Sequence, residues 1–250
     1  MSDKDFFIGW AETSSSDRRF FLKSGISLIA ATGALGVGLA AFQNPVGTGK
    51  WDQGDVREWR GIVTGEPYAM LRTHDLGAGI KTALLACLGK CGVSARIGQH
   101  AGKPVIIKGS LITRKGHAMI AVSDGADWIR EDISTPSQPD LKFSLPTPVD
   151  EVSLVGEILD TKCWFGAMRP SEGKVHKACA ALCIRGGLPP AFFAKDDKGN
   201  KILLIMTDNY SAHSHDLLPF VADPVQISGQ IYRRDDLLFL DSSPQSIVRL

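Results

Sequence analysis

The run from Ser24 to Phe42, SGISLIAATGALGVGLAAF, carries no charged side chain, and it restricts the chain more than any other stretch. As a helix it can just cross a hydrocarbon core of roughly 30 Å. Gly25, Gly33, Gly36 and Gly38 keep it moderately hydrophobic and give it a small-residue face on which another membrane helix can pack. Arg18, Arg19 and Lys23 lie just ahead of it, so the positive-inside rule places them in the cytoplasm and the body of the chain on the far side. A secretory peptide that is cut away and an uncleaved anchor both fit this run. No convincing small-x-small cleavage site precedes Gln43-Asn44-Pro45, which favours the anchor, as does an aromatic group (Phe6, Phe7, Trp10) suited to the membrane interface.

The segment before the apolar run, DRRFFLK from Asp17 to Lys23, resembles the bacterial twin-arginine export signal, Ser/Thr-Arg-Arg-x-Phe-Leu-Lys. Arg18, Arg19, Phe21, Leu22 and Lys23 match, and Asp17 replaces the hydroxyl residue. The resemblance implies a folded body passed to the periplasm by the twin-arginine translocase, and a single-pass protein of the bacterial inner membrane. The expected layout is a cytoplasmic arm (1–23), a membrane helix (24–42) and a linker (43–57).

Beyond the linker, the chain divides into a first unit (58–131), a proline-rich connector (132–150) and a second unit (151–250). In the first, LGAGIKTALLACLGKCG reads as a helix ending at Gly92, and PVIIKGSLIT with HAMIAVSD reads as a hairpin. In the second, a strand over Val152–Leu159 precedes the cysteine segment, a helix carries His176, Cys179 and Cys183, and four further β-rich runs follow. The units read as copies. Gly61-Ile62-Val63 matches Gly156-Glu157-Ile158, Cys87-x-x-x-Cys91 matches Cys179-x-x-x-Cys183, and Pro104-Val105 matches Pro224-Val225. On this alignment the first copy lacks the AFFAKD/KILLIMTD hairpin, or replaces it with something shorter, and has Tyr68 near the place of Cys163. The expected fold is mainly β with short helices: two related OB-like barrels of about five strands, plus one N-terminal transmembrane helix. Closure of each barrel would remove exposed sheet edges.

Gly156, Asp160, Cys163, Cys179, Ala180, Cys183 and Gly187 follow the pattern Gly-x-apolar-x-Asp-x-x-Cys, then Cys-Ala-x-x-Cys-x-x-x-Gly. The second unit thereby resembles a class of small exported bacterial OB-like domains without a settled biochemical role. The resemblance implies fold and compartment, and no activity.

Five cysteines is an odd number, so an oxidising compartment leaves at least one thiol free, metal-bound or bridged to a partner. On a helix His176, Cys179 and Cys183 share a face, with Cys163 delivered from the preceding strand. Three uses compete. One is a disulfide from Cys163 to Cys179 or Cys183, stapling helix to strand and stabilising by roughly 2–4 kcal/mol. The second is a metal site of Cys163, His176, Cys179 and Cys183, with zinc or copper as the ion. The third is thiol exchange with a partner protein, the thiols activated by His176 and Lys177. Cys87 and Cys91 read as buried apolar residues or a local bridge.

Other features have ordinary explanations. His213-x-His215-Asp216 offers two imidazoles and a carboxylate, yet suits a polar loop. The basic residues from Arg169 to Lys201 suit a solvated face or anionic lipid, and a net charge of +1 gives no global reason to expect nucleic acid. Trp164 and Phe165 suit either core packing or a docking point. No serine-nucleophile elbow, phosphate loop, haem-attachment motif or Rossmann fingerprint is present, so a non-catalytic role is favoured, with no cofactor expected beyond zinc or copper at the cysteines. The leading expectation is an accessory or assembly subunit of a larger membrane complex, respiratory or otherwise redox-active. It would meet integral membrane partners through its helix and barrels. The rival is a metal- or thiol-handling protein.

Overall fold

The computed structural model describes residues 13–42, 48–134, 138–195 and 201–250. The aromatic group Phe6, Phe7 and Trp10, the residues 43–47 of the linker and the turn at 197–200 lie outside them. The chain forms two compact units, one ending at Val46 and one running from Gly47 to Leu250.

In the first unit, helix α1 (Ser15–Phe42) starts earlier than the apolar run suggests and takes in Arg18, Arg19 and Lys23. Ser14 explains the start, because its hydroxyl accepts the Asp17 N–H at 3.2 Å and satisfies a donor left open at a helix N-terminus. Its Ser15–Ala41 stretch is long and apolar enough to cross a membrane.

The second unit is mainly β and contains two five-stranded barrels. The first is built from β1 (Lys50–Thr64), β2 (Met70–Thr73), β3 (Lys81–Ala86), β4 (Pro104–Arg114) and β5 (His117–Val122). They run in the order β1-β2-β3-β5-β4 and close by β4 pairing back to β1; β6 (Ile129–Glu131) adds to β4. The second uses β7 (Thr147–Asp160), β8 (Pro190–Lys195), β9 (Lys201–Asp208), β11 (Pro224–Arg234) and β12 (Leu237–Asp241). Its order, β7-β8-β9-β12-β11 closing on β7, is the same. In both barrels the third and last barrel strands are parallel, and a short strand pairs with the start of the long fourth one, β13 (Ile247–Arg249) doing so for β11. The two-residue β10 (Ser211–Ala212) pairs with the end of β9, and a one-turn helix α2 (Ser94–Ile97) lies between β3 and β4.

The duplication is therefore real in topology, but one of its expected correspondences fails. Gly61 lies opposite Val105 and Gly156 opposite Val225, so those pairs are equivalent. The cysteine pairs are not: Cys87 and Cys91 follow the third strand of barrel one, whereas Cys179 and Cys183 lie between the first two strands of barrel two. Of the two alternatives for the hairpin, the structure has the shorter replacement: β2–β3 takes the place of β8–β9.

The helix expected over LGAGIKTALLACLGKCG is a strand. Gly77 and Gly79 adopt positive φ and prevent a helix from starting, and KTALLA then lies between β2 and β5, with every residue after Lys81 buried. A short apolar run of this kind suits a strand walled in on both faces as well as a buried helix. The expected linker 43–57 is strand from Lys50 onward, paired to β4 through an irregularity between Trp51 and Val56. The connector 132–150 does not act as a spacer either. Leu141 within it is buried, Phe143 packs on the core, and β7 has begun by Thr147.

Each barrel has an interior, with Val63, Leu71 and Ile107 in the first and Ile158, Phe192 and Leu240 in the second. A third cluster joins them: Tyr68, Met70 and Met119 of barrel one pack with Phe165, Phe193 and Phe239 of barrel two. Polar contacts cross the same seam. The Tyr68 hydroxyl donates to Met206 O at 2.7 Å and accepts the His213 N–H at 2.9 Å. Arg114 donates to Trp164 O and to Glu172, and its guanidinium lies 4.1 Å from the Trp164 ring centroid. The barrels are thus fused through a common core, which buries apolar surface that either alone would leave in water.

Candidate metal and thiol site

The cysteine site begins at the end of β7. Asp160, wholly buried, turns its carboxylate back on the chain: Oδ1 accepts the Cys163 N–H at 2.8 Å, and Oδ2 lies 3.0 Å from His176 Nε2. The first bond has the geometry of a helix N-cap, an acceptor three residues ahead of the amide it satisfies. It starts the wide helical turn Cys163–Ala167, whose Trp164 and Phe165 enter the common core. These two aromatics are core residues and form no exposed docking point. The chain returns through a 3₁₀ turn (Lys174–His176) into helix α3 (Lys177–Arg185), which carries Cys179 and Cys183 on the face turned to Cys163.

The Sγ atoms of Cys163, Cys179 and Cys183 all lie within 4.8 Å of one another, and Cys163 and Cys179 are 3.9 Å apart. Cys163 and Cys183 are buried and Cys179 is half-buried. All three are free thiols, so the expected disulfide from Cys163 to Cys179 or Cys183 is not formed; the one bridge among the described residues joins Cys87 to Cys91. That bridge forms because the segment is a strand end and turn. Two cysteines four apart on a regular helix project roughly parallel, whereas here the Cα atoms are 5.4 Å apart and the Cys87 N–H donates to Cys91 O across a closed loop.

His176 departs from the expected four-ligand set. It groups with Asp160 and Cys163, not with all three sulfurs. Its ring nitrogen faces Asp160, so the pair fixes the approach of the Lys174–His176 turn to the end of β7. His213, His215 and Asp216 belong to no metal-binding group among the described residues. His213 sits beside Tyr68 at the seam, and Asp216 bonds to Ser214. Of the basic stretch, Lys177 pairs with Asp223 at 2.9 Å and Arg169 donates to Gly49 O.

Two lysines complete the site, and the sequence did not point to either. The disulfide loop 87–91 of barrel one lies against the C-terminal end of α3, where the Gly92 N–H donates to Gly186 O. A Cβ on Gly186 would fall 1.8 Å from Lys90 O, so only glycine permits this approach. The loop thereby brings Lys90 Nζ to 2.7 Å from Cys179 Sγ and 3.8 Å from Cys183 Sγ. From the other side, buried Lys162 donates its ammonium protons to Cys87 O, Leu88 O and Gly89 O at 2.6, 2.7 and 2.8 Å. Its Nζ also lies 5.1 Å from the Trp51 ring centroid. Lys162 is next to Cys163 in sequence, but a lysine there reads as surface. Nothing local links Lys90 to a helix on the other barrel.

These contacts divide the thiols electrostatically. Cys183 is held below the ordinary thiol range, chiefly by a hydrogen bond from Cys163 and further by the Lys90 charge, against the opposing effect of burial. Cys163 is pushed far up by that same bond and by burial, so the proton of the pair stays on Cys163. Lys90 is raised, first by its hydrogen bond to Cys179. Lys162 is lowered by its burial. The resulting arrangement has three converging sulfurs, one accessible edge at half-buried Cys179 and two lysine side chains. It can hold a soft metal ion or exchange a thiol, and the His176–Asp160 pair stands beside Cys163.

Comparison of the chain with family models, with curated proteins and with solved structures finds no match.

Proposed function

We propose that the chain is a membrane-tethered, extracytoplasmic protein that holds a soft metal ion on Cys163, Cys179 and Cys183. One observation carries this reading: three sulfurs from two separate segments converge within 4.8 Å in a largely buried pocket. For a metal about 2.3 Å from each sulfur, ligand sulfurs lie about 3.8–4.0 Å apart, and the Cys163–Cys179 separation of 3.9 Å falls in that interval. Thiolate donors select zinc, monovalent copper or iron–sulfur clusters among biological metals. The apolar helix α1 supports the tether. The DRRFFLK motif supports export by the twin-arginine route, which carries folded cargo and so allows a metal to be loaded beforehand.

Elemental analysis and thiol counting of the full chain, purified in detergent, test this directly. One zinc or copper per chain, lost on Cys179→Ser, is expected. A protein that carries no metal, and takes up neither ion when its thiols are kept reduced, overturns the reading. Replacing Arg18 and Arg19 with lysine is expected to leave the body in the cytoplasm; unchanged export overturns the assigned route.

A second reading, a non-catalytic accessory subunit of a larger membrane assembly, is favoured by the surface beside Cys179. Val175 in the 3₁₀ turn and Leu182 in α3, four residues before and three after it in sequence, are exposed apolar side chains. Purification in mild detergent as a lone monomer would count against this role and leave the metal reading standing.

A further inference from the structure

We infer that the site is built for monovalent copper held by three sulfurs alone, with Lys90 and Lys162 as its counter-charges. This rests on the metal-site reading above and adds the identity of the ion, its coordination number and the function of the two lysines.

The donor count comes first. Structural zinc sites are almost always four-coordinate. The only imidazole near the sulfurs is His176, and it fails to join all three, being turned to Asp160 at 3.0 Å. Asp160 is no substitute, because one oxygen faces His176 and the other accepts the Cys163 N–H. Cys163 and Cys183 are buried, so the free approach is at half-buried Cys179, where the Lys90 ammonium already stands 2.7 Å from the sulfur. A three-coordinate, all-sulfur environment suits a soft monovalent ion and leaves zinc short of a ligand.

Charge points the same way. Binding follows Cu⁺ + 3 RSH → [Cu(SR)₃]²⁻ + 3 H⁺, with no change of oxidation state. The complex carries two negative charges in a pocket poorly reached by water, and buried charge needs a partner. Two ammonium groups are in place. Lys90 touches Cys179 and Cys183, and Lys162, the residue before Cys163, has its ammonium on the carbonyls of the loop that carries Lys90. The Cys87–Cys91 loop connects them, presenting Lys90 from its tip while its carbonyls grip Lys162. With a zinc ion the same three thiolates carry one negative charge, and the second lysine has no counterpart.

The full chain in detergent, reduced at its three free thiols and kept anaerobic, is titrated with Cu(I) and separately with Zn(II) against a competing chelator. X-ray absorption then counts the neighbours of the metal. One Cu(I) per chain with three sulfur neighbours and no nitrogen or oxygen is expected. Lys90→Met is expected to weaken Cu(I) binding by about tenfold or more, with Lys90→Arg recovering part of the loss and neither variant altering the melting temperature of the metal-free protein. Four-coordinate copper or zinc with a nitrogen or oxygen neighbour overturns this inference and leaves a metal site. Unchanged Cu(I) affinity in Lys90→Met overturns the counter-charge assignment. No uptake of either ion by a chain with three titratable thiols overturns both this inference and the metal reading.

Discussion

Lys162→Met removes the ammonium that ties barrel two to the disulfide loop of barrel one, and its cost can be worked from three distances. Nζ donates to Cys87 O, Leu88 O and Gly89 O at 2.6, 2.7 and 2.8 Å, using all three protons. Hydrogen bonds to a charged group contribute roughly 1.5–3 kcal/mol each, so their gross value is about 4–9 kcal/mol. Removing the charge also recovers the several kcal/mol spent on desolvating an ammonium. Leu88 and Gly89 are on an exposed tip, where water can replace the lysine, while the bond to Cys87 O is buried. One unsatisfied buried carbonyl costs about 1–3 kcal/mol, and methionine also gives up the ammonium's approach to the Trp51 ring. The net expectation is a loss of about 2–3 kcal/mol. For a folded unit of this size that is a fall in melting temperature of about 5–10 °C, read by circular dichroism of the full chain in detergent. Because the loop carries Lys90, the variant should also expose Cys179, seen as faster alkylation of one thiol. A melting temperature within about 2 °C of the parent, with unchanged thiol reactivity, would refute the claim that Lys162 clamps the loop.

Gly186→Ala puts a methyl group 1.8 Å from Lys90 O and should displace the same loop, destabilising by at least the 1–3 kcal/mol or so of ordinary overpacking and loosening metal retention; equal stability would show that the loop adapts freely. Tyr68→Phe leaves Met206 O and the His213 N–H without their partner at the seam and should cost about 1–3 kcal/mol in urea denaturation, a neutral result placing the stability of the seam in its apolar contacts alone. His117, stacked on Phe165 at 5.4 Å and close to Trp164, is lowered by burial below the usual imidazole range, with the Asp236 charge opposing. The unfolded chain therefore takes up a proton near pH 6.5 that the folded protein refuses, so stability is full above that pH and falls as pH drops from there toward the folded value. His117→Phe should flatten this acid-side slope in melting curves from pH 7 to pH 5; an unchanged slope assigns the loss to other groups.

Much of the layout was legible in the residues. A charge-free run from Ser24 to Phe42 reads as a helix long and apolar enough to cross a membrane. Short apolar runs broken by Gly, Pro and Asp turns between Trp59 and Leu250 imply closed β-structure. The repeated Gly and Pro-Val positions revealed the duplication, because both fix a strand register: Gly61 opposite Val105 and Gly156 opposite Val225. The cysteines misled the alignment. Spacing of four recurs by chance on a loop and on a helix, and only the strand order shows that the two pairs occupy different connections. KTALLA was misjudged because continuous burial erases the alternation by which a strand is recognised.

What the sequence by itself determined was a helix long and apolar enough to cross a membrane, the β class and the nearness of Cys163 to the Cys179–Cys183 helix, all set by patterns within a few tens of residues. The tertiary structure alone decided that the barrels share one core, that His176 turns to Asp160, and that Lys90 lies on a sulfur 89 positions away. The physical reason is that a cation's partner is chosen by the backbones that can approach each other. Here that choice falls to Gly186, whose missing side chain lets one barrel's loop settle on the other barrel's helix.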